Sequence, residues 1–198
     1  MLKRCFDFAS CAIGLVLLSP LLLAIAAWIK LDSEGPVFFR QERVGRFGRT
    51  FFIHKFRTMT VDAEAKGPQI TIGKDRRVTR AGHFLRKMKL DELPQLIDVL
   101  YGKMSIVGPR PEVPRYIALY PDEVRAKVLS VRPGVTDWAS IRFKDENDIL
   151  ARSNSPEDAY VREVLPIKQR YYVEYVDNNS FLGDLGIIFA TLGAILKR

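Results

Sequence analysis

Between Phe8 and Ile29 the chain reads FASCAIGLVLLSPLLLAIAAWI, 22 residues without a charge. At about 1.5 Å per residue, a helix of that length crosses a hydrocarbon core of about 30 Å, so the run is long enough for a membrane. Ser19-Pro20 sits near its middle. Proline lacks an N–H and its ring clashes with the preceding turn, so a kink or break is expected there, with each limb reaching about half the bilayer. Lys3 and Arg4 precede the run and Lys30 closes it, so positive charge flanks both ends and marks neither as the cytoplasmic side. A re-entrant helix that bends at Ser19 and Pro20 and leaves on the face it entered satisfies both observations. Two readings compete. One is a straight spanning helix with a tolerated proline. The other is a cleaved signal peptide processed at Ala24-Ile25-Ala26, for which the run is long.

Composition narrows the partners. The 198 residues carry 31 basic and 23 acidic side chains, a net charge of +8, which favours nucleic acid, a membrane headgroup or a phosphorylated substrate. Cys5 and Cys11 both fall beside the apolar run, so they build neither a disulfide framework nor a zinc site and are expected to be buried thiols.

After Lys30 the composition changes abruptly. Asp32 to Pro36 is a turn-rich linker, dividing the chain into an expected membrane helix over 1–32 and a body over 33–198. The runs 37–44 and 50–56 are β-leaning and flank Gly45 and Gly48, which predicts a hairpin. Gly67 to Gly73 reads as loop, and short helices are expected over 84–88 and 93–100, the second ending at Gly102. Pro109, Pro111 and Pro114 predict an extended crossing, and Pro121 to Ser130 a helix. A long helix is expected from Ser155 to Val176, capped by Ser155 with Pro156 at its first position and interrupted near Pro166. The apolar stretch 181–196 reads equally as an interface helix or a core helix. The fold class is α+β and mainly helical, with a small β-hairpin and amphipathic interface helices around the re-entrant helix.

The most informative segment is Lys89-Leu90-Asp91-Glu92-Leu93-Pro94-Gln95-Leu96. Proline is tolerated only in a first turn, so a helix running to Leu100 should start at about Leu90 to Glu92, with Asp91 near its N-cap. Unpaired amides at such a start favour anions, so a phosphate could lie beside Asp91 and Glu92. Adjacent carboxylates can divide labour, one attacking while the other holds a divalent cation. A capping aspartate with an acidic first turn explains the same residues without chemistry. The surroundings weigh against that. Lys55, Arg57, Arg76, Arg77, Arg80, Arg86, Lys87 and Lys89 lie upstream, and Arg110 stands in a stiff Gly108-Pro109-Arg110-Pro111-Glu112 segment. A carboxylate approaching a phosphoanhydride meets like charge, which arginines and a metal ion neutralise. Two or three of the eight upstream basic residues suffice; the others form a solvated or headgroup-facing surface.

Taken in order, these pieces resemble the bacterial sugar transferase family, the small monotopic phosphoglycosyl transferases, over nearly the whole chain. The pieces are the helix interrupted at Ser19-Pro20, Phe38 to Gly45, His54 to Met59, Arg76 with Thr79-Arg80, Phe84-Leu85-Arg86, Asp91 to Gln95, and Ser105 to Glu112. Each is short, and their joint order and spacing carry the likeness. The resemblance implies a helix broken at Ser19 and Pro20, a catalytic Asp91-Glu92 pair with Asp91 as nucleophile, and Mg²⁺ held by Asp91 and Glu92. Lys55, Arg57, Arg86 and Arg110 are the candidate substrate-binding cations. One stretch departs from the family: Asp137 to Lys144 replaces much of a glycine-tryptophan-alanine stretch and an asparagine-glycine-arginine turn. Trp138 and Ala139 fit, the turn does not, and Arg142 is the candidate to take over its phosphate or sugar contact. The extra N-terminal spanning helices of larger relatives are not in this sequence, so it resembles the minimal catalytic form.

The implied reaction moves a sugar 1-phosphate from a UDP-sugar to polyprenyl (undecaprenyl) phosphate, releasing UMP through an aspartyl-phosphosugar intermediate. Its expected place is the cytoplasmic face of the bacterial inner membrane, as a first membrane step of glycoconjugate synthesis. Direct attack by the lipid phosphate in a ternary complex is the rival chemistry. A basic, membrane-tethered nucleic-acid-binding module and a non-catalytic anchor are the rival classes. No helix-turn-helix, zinc or RNA-binding signature supports the first, so no nucleic-acid partner is expected, and the second leaves acids clustered with arginines without a reason. Neither the sugar nor the oligomeric state is legible.

Overall fold

The computed structural model describes residues 2–63, 75–143, 150 and 152–196. The expected loop over 67–73 and Lys144 lie outside them.

Helix α1 runs Leu2–Asp32, 31 residues, and is long and apolar enough to cross a membrane. Only 11% of its most apolar window is buried, so it is no core helix. Its buried side chains come in two i,i+4 pairs: Asp7 and Cys11 in the first half, Ile25 and Ile29 in the second. Between them Ile13, Val16, Leu17, Leu21 and Leu23 are exposed. Both ends dock on the same body. Arg4 donates to the Val99 and Leu100 carbonyls, and Ser105 Oγ donates to Asp7 at 2.6 Å. Lys3 is paired with Asp184. At the far end the Ala81 amide donates to Asp32 at 3.0 Å, and Ile25 and Ile29 pack with Phe56 and Leu85.

Pro20 lies inside α1, and helical backbone is present on both sides of it. One hydrogen bond serves the carbonyl that the proline leaves without a donor. Pro20 cannot donate to the carbonyl four residues back, which is Val16, and Ser19 Oγ donates to that carbonyl instead at 2.7 Å. Cys11 is buried as expected, whereas Cys5 is exposed, because it falls on the opposite side of α1 from the docked pair.

Strands β1 (Phe38–Val44) and β2 (Thr50–Phe56) form the expected antiparallel hairpin, registered Phe38 to Phe56 and Val44 to Thr50. Alternation puts Phe38, Arg40 and Glu42 with His54 and Phe56 on one face, and Gln41 and Arg43 with Ile53 and Lys55 on the other. Helix α2 (Arg80–Lys87) is capped by Thr79, and starts four residues before the predicted span. Lys89 follows in the left-handed region at φ 57, a strained conformation for a side-chain-bearing residue. Next come the 3₁₀ turn Leu90–Glu92 and α3 (Gln95–Leu100). Asp98, fully buried, holds α3 against the edge of β2: one oxygen accepts the His54 amide and the other the His54 ring, both at 2.8 Å. Arg40 sits at the other ring nitrogen, at 2.8 Å.

A second, two-stranded sheet was not foreseen. β3 (Ser105–Val107) and β4 (Gly134–Thr136) pair in parallel. They continue into two crossing turns, Gly108-Pro109 and Pro133-Gly134, where the Gly134 amide donates to the Pro109 carbonyl at 2.9 Å. A Cβ on Gly134 would lie 2.1 Å from the Gly108 nitrogen, so the crossing demands glycine. Pro114 does not extend the proline-rich crossing; it occupies the first turn of α4 (Pro114–Ile117), where a missing N–H costs nothing. Helix α5 (Asp122–Val128) is as expected, and α6 (Trp138–Arg142) is capped by Asp137.

The long C-terminal helix is divided into α7 (Pro156–Ala159), a π turn over Tyr160–Val164 and α8 (Leu165–Asn178), which places the interruption just before Pro166. Ser155 gives α7 no side-chain cap. Helix α9 (Phe181–Leu196) buries Asp184 and Ile187 while Leu182, Phe189, Leu192 and Leu196 stay exposed. The largest core joins Val44, Val113, Tyr116, Val128, Leu165 and Tyr172. Two smaller clusters lie under the two limbs of α1.

Asp98→Ala strips the partner from a buried amide and from an imidazole. It should lower unfolding stability by about 2–4 kcal/mol, read from urea denaturation, with the hairpin's amide protection falling most.

Candidate active site

Three chain segments converge on Glu92. Lys55, on the inner face of β2, donates to Glu92 Oε1 at 2.8 Å. Arg110, projected from the Gly108-Pro109 crossing, donates Nη1 to Oε2 at 3.0 Å and Nη2 to Oε1, a two-pronged pair. Burial works to raise Glu92, yet Arg110 and Lys55 outweigh it and hold its carboxyl well below the usual carboxylate range. Glu92's charge in turn holds Arg110 well above its ordinary value. Burial pushes Lys55 downward, with Glu92 opposing.

Asp91 is different. It is 9% exposed and accepts no hydrogen bond among the described residues. Burial raises its pKa, with Glu92 adding to the rise and Lys55 and Arg86 countering it. Two adjacent carboxylates have thus been separated: Glu92 is fixed as an anion, while Asp91 keeps its lone pairs and is the more basic oxygen donor. Asp91 does not cap α3, as the sequence suggests. It is the second residue of the 3₁₀ turn, the N-cap position of α3 is Pro94, and the cap before the turn is Lys89. Its surroundings are set by the cations Lys55, Arg86 and Lys89 and not by a helix end.

The predicted substrate cations separate. Lys55 and Arg110 touch Glu92 directly, and Arg86 acts on Asp91 by its charge while its Nε donates to Thr58 Oγ1 at 2.8 Å. Arg57 is turned elsewhere. Its guanidinium donates to the Ser33, Glu34 and Pro36 carbonyls and to Ser33 Oγ, at 2.6–2.9 Å, clamping the linker after α1. Arg142 ends α6 and is exposed. Of the other upstream basic residues, Arg77 pairs with Asp75 at 2.7 Å, while Arg76, Arg80 and Lys87 face solvent.

Behind Arg110 lies a polar wall the sequence did not single out. Arg43 donates to the Pro111 carbonyl at 3.0 Å, and Tyr160 OH donates to Glu112 Oε1 at 2.8 Å. Asp137 is buried, and burial raises its pKa against the two bonds it accepts from Ser140. It also adds to the charge that favours the cationic form of Arg110. The signal available was the Arg-Val-Gly end of β1, whose inward parity matches that of Lys55.

A divalent cation fits these residues modestly. No group of three or more His, Cys, Asp or Glu suited to a metal occurs among the described residues. Asp91 nevertheless offers an unbonded carboxylate, and Glu92 accepts three bonds where a carboxylate has about four acceptor sites. One or two carboxylates, with substrate phosphates and water completing the shell, is the way Mg²⁺ is commonly held.

Comparison with known proteins gives the family. The family model for bacterial sugar transferases matches residues 1–198. A UDP-N-acetylgalactosamine-undecaprenyl-phosphate N-acetylgalactosaminephosphotransferase of Aeromonas hydrophila is 38% identical over 98% of this chain and 44% of its own length. A UDP-glucose:undecaprenyl-phosphate glucose-1-phosphate transferase of Escherichia coli is 38% identical over 97% of this chain and 39% of its own length. An uncharacterized sugar transferase of Bacillus subtilis, EpsL, is 37% identical over 99% of this chain and 88% of its own length. The chain therefore spans less than half of the first two relatives and most of the third. It belongs to the bacterial sugar transferase family.

Because Glu92's folded pKa is depressed, its pairing stabilises the protein above the unfolded value of ~4.3 and that stabilisation is lost as pH falls through the folded value. Glu92→Gln should cost roughly 2 kcal/mol at neutral pH, less than for a fully buried pair because Arg110 keeps 27% of its side chain exposed. It should also flatten the acid side of the stability curve in calorimetry below about pH 4.3.

Proposed function

We propose that this bacterial sugar transferase moves a sugar 1-phosphate from a UDP-sugar to undecaprenyl or another polyprenyl phosphate, releasing UMP, with Asp91 as covalent nucleophile. The observation that carries the reading is the unequal pair: a free, basic Asp91 carboxylate beside a Glu92 locked by Lys55 and Arg110. The names of the Aeromonas and Escherichia relatives supply the substrate class.

In the first half-reaction an Asp91 Oδ attacks the phosphorus that bears the sugar. The anhydride bond to the UMP phosphate breaks, and its electron pair leaves with UMP. Lys55, Arg86 and Arg110 stand where they can neutralise the diphosphate. Mg²⁺ held through Asp91 and Glu92 would supply further neutralisation of that diphosphate. In the second half-reaction an oxygen of the lipid phosphate attacks the acyl-phosphate, forms the lipid diphosphosugar and returns Asp91 as a carboxylate. Covalent catalysis replaces one hard displacement by two easier ones. The Arg57 clamp supports a different part in this scheme from direct substrate binding: it fixes the chain leaving α1, and with it the height of the site above the lipid.

The acceptor's tail is confined to a bilayer, so the site must work at its surface. The docking of both ends of α1 on one body supports a monotopic arrangement in which the exposed middle of the helix enters the lipid and both ends return to one face. The exposed apolar side of α9 supports an interface position for that helix. A cytoplasmic disposition at the inner membrane follows from the supply of UDP-sugars.

Asp91→Asn should abolish UMP release and covalent labelling, while the protein still sediments with membranes. The assay is a panel including UDP-glucose and UDP-N-acetylgalactosamine with Mg²⁺ and polyprenyl phosphate; ping-pong kinetics is the expected pattern, and a ternary-complex pattern would point to direct lipid attack. Tags at Met1 and Arg198 should both be accessible only from the cytoplasmic side, and an N-terminal tag reached only from outside would refute the re-entrant arrangement.

A further inference from the structure

Gln95 is 1% exposed, and both its amide nitrogen and its amide oxygen lack a hydrogen-bond partner. A buried carboxamide with neither end bonded is expensive, and α3 would be more stable with an apolar residue there. Its place on the coil explains what the expense is for. The backbone is right-handed from Leu90 through Pro94 into α3, so Gln95 follows Asp91 by four residues and Glu92 by three, the spacings at which side chains share a face. It also lies between the two contacts that pin this coil to β2, Glu92 with Lys55 and Asp98 with His54, and it is buried there.

Asp91 thus has an acceptor without a donor, and Gln95, one turn away, a donor without an acceptor. We propose that Gln95 is the positioning residue for Asp91: when the nucleotide sugar is loaded, its amide N–H donates to the Asp91 oxygen that does not attack. The bond leaves the other oxygen aimed at phosphorus. This rests on the reading of Asp91 as nucleophile. Glu92 cannot do the same work, because a second carboxylate has no proton to give. Lys55 is committed to Glu92. A neutral donor also orients the carboxylate without quenching its charge as a bonded ammonium would, so the oxygen keeps its nucleophilicity. The unmet amide in the unloaded protein is the cost of holding that donor ready.

The test compares Gln95→Met, nearly isosteric and apolar, with wild type, using whichever of UDP-glucose and UDP-N-acetylgalactosamine supports UMP release. The expected result is a kcat for UMP release lower by about 10- to 100-fold, as for a nucleophile left free to rotate. KM should stay within about threefold, and Tm should be unchanged or higher. An unchanged kcat overturns the proposal, and so does a raised KM at constant kcat, which would make Gln95 a substrate contact. Should Gln95→Met melt early, Gln95→Leu and the wild-type protein decide. In wild type labelled with ¹⁵N-glutamine, adding the nucleotide sugar without lipid acceptor should shift the Gln95 side-chain amide signal and slow its solvent exchange; a signal that does not move overturns the proposal. Asp91→Asn separates the two levels. If that variant still releases UMP, the nucleophile reading fails; if it is inactive while Gln95→Met runs at full rate, only the role of Gln95 fails.

Discussion

Everything around the site depends on Glu92 being held by two cations from different parts of the chain. Lys55 comes from the hairpin, Arg110 from the glycine-proline crossing, and Glu92 itself from the turn between α2 and α3. Remove the carboxylate and two positive charges face each other with little to separate them. With it in place, three segments are tied at one point and the neighbouring Asp91 is left with no bond to make. A paired carboxylate is stabilising here chiefly because its partners are fixed by other means: Lys55 by sheet register, Arg110 by the backbone crossing at Gly108 and Gly134.

The acidic turn is also braced from the side of α1. Helix α1 is not a tether hanging from the body. It is built into it at Asp7 and Cys11, and again at Ile25 and Ile29, under two separate clusters. Asp32 reaches the start of α2, and α2 leads through the strained Lys89 directly to Asp91. Helix α1 and the acidic turn are therefore two ends of one short mechanical path.

Local signals made part of this legible. The hairpin followed from two β-leaning runs around Gly45 and Gly48, and the acidic turn from Pro94, which tolerates only the start of a helix. Long-range pairing was not legible. The parallel contact of β3 with β4 joins residues 105 and 134, and nothing in either triplet announces the other. Arg57 illustrates the limit for sites: its neighbours suggested a phosphate ligand, but only the fold shows that it donates to three linker carbonyls and the Ser33 hydroxyl. Arg43 and Asp137 were passed over for the reverse reason: a lone acid before a helix gives no hint of burial, and the hint for Arg43 was only its parity with Lys55 along the hairpin.

The hydroxyl of Ser19 standing in for the amide that Pro20 lacks ties the two residues together. In water a stranded Val16 carbonyl would find a solvent proton, and the serine would be dispensable. Surrounded by hydrocarbon it would find none, so proline without serine is a defect and serine without proline is idle. Serine and proline at these two positions therefore act as one unit, the hydroxyl supplying what the ring took away.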